Sequence, residues 1–219
     1  MNEITHEVKS VKYDLANSIG HIHNHGLDYD SEIIYLMEDI NKEEATTFIK
    51  NINTLQRKKN CDTILIQMMT NGGCWDSGMA IYSAIKACPS QVVILGCGYL
   101  YSMGSVILQA ADKRALHREA KIMIHDGDFS FEGTTKQAET EFIELADSKK
   151  KMREIFLEKM KESEYFEKNK EATILKWLND QMNKKEEVYL NAENSIKYGF
   201  IDCIFGDNDK YDWTKLREI

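Results

Sequence analysis

From residue 33 onward the chain alternates short apolar runs with longer stretches whose apolar residues recur three and four apart. Ile33-Ile34-Tyr35-Leu36-Met37 is a short run rich in strand-favouring residues. Asn41, with Glu44 three residues on, reads as a helix N-cap, and Ala45, Phe48, Ile49, Ile52 and Leu55 then fall on one face. Thr63 to Met69 is apolar with little polar alternation, as expected of a strand covered on both faces. Trp75 to Cys88 reads as a helix striped by Met79, Tyr82 and Ile85. Gln91 to Cys97 reads as a strand, Ser102 to Ala111 as a helix and Lys121 to His125 as a fourth core strand. Strands separated by helices of this length require crossover connections, which predicts an α/β fold with a mainly parallel core sheet.

Beyond Gly127 the pattern changes. One long, strongly charged helix is predicted over about residues 135–162, carrying Phe142, Leu145, Met152, Ile155, Phe156 and Met160. That stripe is too thin for a fully buried helix and too long for the surface of a small domain, so packing against a second copy is expected. The charge run from Lys149 to Lys170 reads as a solvated helix face and loop. Val188 to Phe205 holds Tyr189-Leu190-Asn191-Ala192, a helical stretch to Tyr198, then Gly199 and a strand over Phe200 to Ile204. The expected organisation is an N-terminal arm (1–30), one domain (31–206) and a polar tail (207–219) read as mobile.

Charge and cysteine usage narrow the classes. With 28 Lys+Arg against 36 Asp+Glu the net charge is −8, which argues against a nucleic-acid-binding face. The five cysteines show no C-x-x-C spacing, so free thiols in a reducing compartment are expected, not a disulfide framework or zinc ribbon. The charged N-terminus lacks the apolar core of a secretory signal, and a cytoplasmic location is the expectation. Ala87 to Ala111 is uncharged and long enough to span a bilayer, but Pro89, Gln91, Gly96, Gly98, Gly104 and Gln109 interrupt it, so a buried strand, turn and helix fit better. His21, His23 and His25 would share a face of an extended segment and present imidazoles to a transition metal. No cysteine or carboxylate pattern completes such a site, and neither metal nor cofactor is expected.

Ligands in open α/β sheets sit at the C-terminal ends of parallel strands. Three loops meet that condition: Thr70-Asn71-Gly72-Gly73, the stretch Gly98 to Gly104 around Ser102, and His125-Asp126-Gly127-Asp128. A serine at a tight strand-to-helix turn exposes its hydroxyl, and the N–H groups of that helix start point toward any oxyanion formed there. The glycine pair adds donors with no side chain to block approach, and a strand-end histidine is placed to take the serine proton. A serine at a helix start alone is usually a structural cap. Glycine pair, serine and histidine on successive strands are far more specific.

The order Asn71-Gly72-Gly73, Ser102-Met103-Gly104, Met123-Ile124-His125 and Leu190-Asn191-Ala192…Tyr198-Gly199 closely resembles the proteolytic subunit of Clp proteases, from about Ile33 to Ile204 and including Gly78-Met79-Ala80-Ile81-Tyr82 and a turn at Lys113-Arg114. The resemblance implies a crotonase-like α/β fold with a protruding handle helix, and serine endopeptidase activity on unfolded polypeptides. It also implies paired heptameric rings, a partner AAA+ unfoldase ATPase, and no cofactor, nucleic acid or membrane. Carried over residue by residue, it makes Ser102 the nucleophile, His125 its general base, and the backbone N–H groups of Gly73 and Met103 the oxyanion hole. The family's aspartate falls at Glu187, with Glu186 and Asp180 as competitors. Departures mark a divergent member: Asn71 stands where the family has proline, Asp126-Gly127 where it has Gln-Pro, and the segment between His125 and Glu187 is longer. Two rivals remain at this level, an inactive ring component and a crotonase-type acyl-CoA enzyme, the second disfavoured by the Ser102/His125 pair.

Overall fold

The computed structural model describes residues 19–206 and Leu216. A short helix α1 (residues 19–25) leads into strands β1 (Leu27–Asp28) and β2 (Ile33–Leu36). Helix α2 (Lys42–Leu55), β3 (Thr63–Thr70), α3 (Trp75–Lys86), β4 (Gln91–Tyr101), α4 (Met103–Leu108), β5 (Lys113–His117) and β6 (Lys121–Ile124) follow. The rest is α5 (Thr135–Met160), α6 (Glu171–Lys184), β7 (Val188–Asn191), α7 (Ala192–Lys197) and β8 (Cys203–Phe205). The sheet runs β1-β2-β3-β4-β5-β8, parallel throughout except for β1. Period-2 alternation splits its side chains. Ile34, Leu36, Ile64, Ile66, Met68 and Ile94 enter the main core under the helices, whereas Ile33, Leu65, Val93 and Leu95 pack on the other face. Asn41 caps α2 as expected, its side chain accepting the Glu44 N–H at 2.9 Å.

The strand β4 is longer than its apolar run suggests, and this positions the site. Its first half pairs with β5 (Val93 with Lys113 through Gly96 with Leu116), and its last three residues pair with β6 (Tyr99 with Lys121 through Tyr101 with Met123). The change of partner needs a bend, made at Gly98 with φ +68°. Gly96 also leaves room for Leu116 and Leu100, whose methyl carbons would lie 2.3 and 2.5 Å from an added Cβ. The residues following β4 and β6 are therefore brought side by side. On the outer edge of β6, β7 runs antiparallel, with Ile124 opposite Val188.

Several expectations change. The Lys113-Arg114 segment is strand β5, with Arg114 buried and donating to Gln109 Oε1 at 2.7 Å and the Gly199 carbonyl at 2.8 Å. Residues 171–184 form α6, whose Ile174, Leu178 and Met182 recur at helical spacing and are buried. The long helix spans Thr135–Met160 but is divided in its packing. Met152, Ile155, Phe156 and Met160 are buried in this chain's own core, Phe156 lying 5.3 Å from Phe200 between ring centroids. Only its first half, with Phe142 and Ile143 exposed, is left for a second copy. The histidine-rich patch is helical, not extended. Alternate residues therefore do not share a face, and it is His21 and His25, one turn apart, whose rings meet at 5.5 Å. Leu216 is buried beside Phe205 and Val93; the remaining expectations for the arm (residues 1–18) and tail (207–215, 217–219) lie outside the described residues. No helix among the described residues is long and apolar enough to cross a membrane.

Candidate active site

Ser102 occupies the turn between β4 and α4 at φ 51°, ψ −119°, a left-handed conformation that only glycine adopts without strain. Three bonds hold it there. Its N–H donates to the Met123 carbonyl at 2.9 Å, and its own carbonyl accepts from the Ser105 hydroxyl at 2.6 Å and the Ser105 N–H at 3.0 Å. The side chain is thereby turned toward the residue that follows β6. The His125 Nε2 lies 2.7 Å from Ser102 Oγ. With the imidazole proton on Nδ1, Nε2 accepts from the serine hydroxyl, the arrangement in which a serine can be deprotonated as it attacks.

The glycine pair closes the other side. Ile40 donates its N–H to the Gly72 carbonyl at 2.7 Å, and Cys74 donates to the Ile40 carbonyl at 2.8 Å. This alternation directs the Gly73 N–H away from Ile40, and no backbone acceptor among the described residues takes it. The Met103 N–H is the first of α4 and also lacks an intrahelical acceptor. Gly72 packs so tightly that an added Cβ would lie 2.7 Å from Ser102 Cβ and 2.8 Å from the Met103 nitrogen. Any side chain there would displace the nucleophile turn.

These groups open on a cavity of about 660 Å³, walled by Trp75, Met103, Val106, Leu145 and Met152 and by the loop from His125 to Asp128. Asn71 and Cys74 lie at its edge. The exposed Cys74 thiol is held below its ordinary pKa by hydrogen bonding from the Ser77 side chain, ahead of the backbone amides of Ser77 and Asp76. Sequence reasoning did not single it out, because a lone cysteine beside a glycine pair has no spacing signature.

Glu187 lines the same cavity, and neither Glu186 nor Asp180 does. Continuing the β6–β7 register one step beyond Ile124 and Val188 sets Glu187 across from His125. Its carboxylate accepts from the Tyr189 hydroxyl at 2.7 Å, and among the described residues it makes no hydrogen bond to His125. That bond, with burial and the carboxylate's charge behind it, raises the Tyr189 pKa. Tyr189 also meets the Tyr101 ring edge-on at 5.5 Å. Among the described residues no group of three or more His, Cys, Asp or Glu side chains is poised around a metal ion.

A strand-end histidine on a strained serine beside a glycine pair is the constellation of acyl transfer, and comparison with known proteins gives it a family. Residues 22–208 match the model of the Clp protease family. The chain belongs to the Clp protease family. It is 27% identical over 176 residues to ATP-dependent Clp protease proteolytic subunit 1 of Leifsonia xyli, covering 78% of this chain and 82% of that one. It is 26% identical over 174 residues to the ATP-dependent Clp protease proteolytic subunit of Deinococcus radiodurans, covering 78% and 79%. Among solved structures, a point mutant of ClpP1 from Listeria monocytogenes superposes with a TM-score of 0.69 at 22% identity, over 83% of this chain and 95% of that one. The fold is thus the Clp protease fold, and the activity of the chain is that of a serine peptidase.

Proposed function

We propose that Ser102 is the nucleophile of a Clp-type endopeptidase, His125 its general base and Glu187 the acid that orients the base. The 2.7 Å approach of His125 Nε2 to Ser102 Oγ carries this reading. In the reaction, Ser102 Oγ attacks a peptide carbonyl as its proton passes to Nε2. The carbonyl oxygen takes the developing charge and is met by the Gly73 and Met103 N–H groups. The protonated imidazole then gives its proton to the departing amine, leaving an acyl-serine, which water activated by His125 releases. Glu187, facing His125 across the β6–β7 ladder, orients the imidazole once its carboxylate turns from Tyr189 to Nδ1. An acid in that place keeps the proton on Nδ1 and stabilises the imidazolium.

The working unit is an oligomer of this chain enclosing the sites, arranged as paired heptameric rings in the cytoplasm and fed with unfolded polypeptide by an AAA+ ATPase. Family membership supports this, as does the first half of α5, where Phe142 and Ile143 are more than half exposed and Phe129 lies 5.1 Å from Phe142 between ring centroids. Replacing Ser102 or His125 by alanine is expected to lower hydrolysis of an unstructured peptide by about 10⁴ or more while the sedimentation of the assembly is unchanged. Activity retained by Ser102→Ala would overturn the assignment.

A further inference from the structure

The base stands at a point where regular structure stops. β6 ends at Ile124, and from His125 to Gly133 the chain forms neither helix nor strand. Gly127, two residues past the histidine, has φ +79° and open space around it. A glycine there leaves the backbone beyond the base conformationally free. Something other than local stiffness must hold His125 within hydrogen-bond reach of Ser102.

Asp126 supplies a tether. Its Oδ1 accepts from Arg153 Nη2 at 2.7 Å, and its Oδ2 lies 3.8 Å from Lys149 Nζ. Arg153 is itself fixed at two further points. Its Nε donates to Asn179 Oδ1 on α6 at 2.7 Å, and its Nη1 donates to the Lys149 carbonyl on α5 at 3.2 Å. The guanidinium side chain is only 18% exposed and Asp126 is 37% exposed, so the pair is sheltered on the arginine side. A guanidinium committed to three acceptors has little rotational freedom, and a carboxylate bonded to it inherits that order.

We propose that Asp126, Arg153 and Asn179 form a clamp that positions the catalytic base, holding the residue after His125 to α5 and α6 as the β6 ladder holds the residue before it. This rests on His125 being the base. The clamp also balances charge beside the imidazole. The charged and titratable groups around it are Asp126 and Asp128 on its own loop, Lys149 and Arg153 on α5, Glu187 and Tyr189 on β7, Tyr101 at the end of β4 and Cys74 before α3. Removing one member of the Asp126–Arg153 pair leaves the other's charge uncompensated near His125.

The two single variants therefore push in opposite directions. Asp126→Asn leaves Arg153 and Lys149 disfavouring a protonated imidazole, so the acidic limb of the kcat/KM profile moves to lower pH. Arg153→Met leaves Asp126 favouring it, so the limb moves to higher pH. Each displacement is about half a pH unit, the scale of one charge at several ångströms in a partly solvated site. Both variants lower kcat by about 10-fold to 10²-fold with KM little changed, the cost of a misplaced base. Arg153→Lys keeps the charge and loses the fork, so its limb stays in place while kcat falls. The double variant Asp126→Asn/Arg153→Met returns the limb toward its original pH without restoring kcat.

The measurements are pH profiles of peptide hydrolysis and of the rate at which a fluorophosphonate labels Ser102, on assembled protein checked by sedimentation. Opposite limb displacements with reduced kcat support the clamp. Single variants within twofold of the parent, or limbs that move the same way in both, overturn it, while labelling of the parent at Ser102 that is slowed by orders of magnitude in His125→Ala still upholds the base. Failure of the parent itself to be labelled at Ser102 overturns the active-site assignment and the clamp with it.

Discussion

At φ 51° and ψ −119° the backbone of Ser102 costs about 1–3 kcal/mol relative to a relaxed conformation, and the two Ser105 bonds and the Met123 bond maintain it. The return is geometric: the hydroxyl is lifted out of the strand-to-helix turn, and the first N–H of α4 points to the same space. Glu187, the proposed third member of the triad, is set across from His125 by strand register, while its carboxylate accepts from the Tyr189 hydroxyl. Across an antiparallel ladder directly opposed side chains have Cβ atoms about 5 Å apart, close enough for a glutamate to reach a facing imidazole. We predict that Glu187→Gln lowers kcat by about 10² or more, since a neutral amide no longer stabilises the imidazolium. Glu186→Gln and Asp180→Asn, on exposed side chains away from the cavity, should stay within about twofold. Equal, small effects from all three in steady-state kinetics would remove Glu187 from the triad.

At the scale of elements, α5 joins two functions that one helical stripe in the sequence does not separate. Its second half belongs to the core of its own chain, and its first half protrudes. Met152→Ala and Phe156→Ala should therefore each destabilise the folded chain by about 2–5 kcal/mol, read as a fall in midpoint on thermal denaturation. Phe142→Ala, at a side chain 58% exposed, should leave that midpoint within a degree or two but weaken association on sedimentation. The reverse pattern would mean that the division of the helix is wrong. The sequence revealed the charged helix but not its packing, because a thin apolar stripe is compatible with either partner. α6 was missed, because the lysines and glutamates around Ile174, Leu178 and Met182 obscure their helical spacing. The full length of β4 was not legible, because Gly96 and Gly98 look like the end of a strand when they are its bend. The glycine pair, Ser102 and His125 could be read directly, since each sits at the end of an apolar run where a parallel sheet exposes its loops. The clamp could not, because Asp126, Arg153 and Asn179 are far apart in sequence and have no characteristic spacing.

At the scale of the molecule, the parallel sheet, its bent fourth strand and the helix that leaves the domain form a single device. The bend of β4 brings Ser102 to His125, and β7 brings Glu187 across from it. Lys149 and Met152 in the second half of α5 wall the cavity, and Arg153, bonded to Asn179 of α6, holds Asp126 in the loop after His125. The first half of the same helix presents Phe142 and Ile143 outward, so the elements that shape the site and the surface suited to assembly are mechanically continuous. The proposed chemistry turns on Ser102 as a nucleophile activated by His125. Its most direct measurement is peptide mapping by mass spectrometry after treating the assembled protein with a fluorophosphonate. One modified site, Ser102, is expected in the parent protein, with labelling abolished in Ser102→Ala and slowed by orders of magnitude in His125→Ala. Modification at another residue, or undiminished labelling without the histidine, would contradict it.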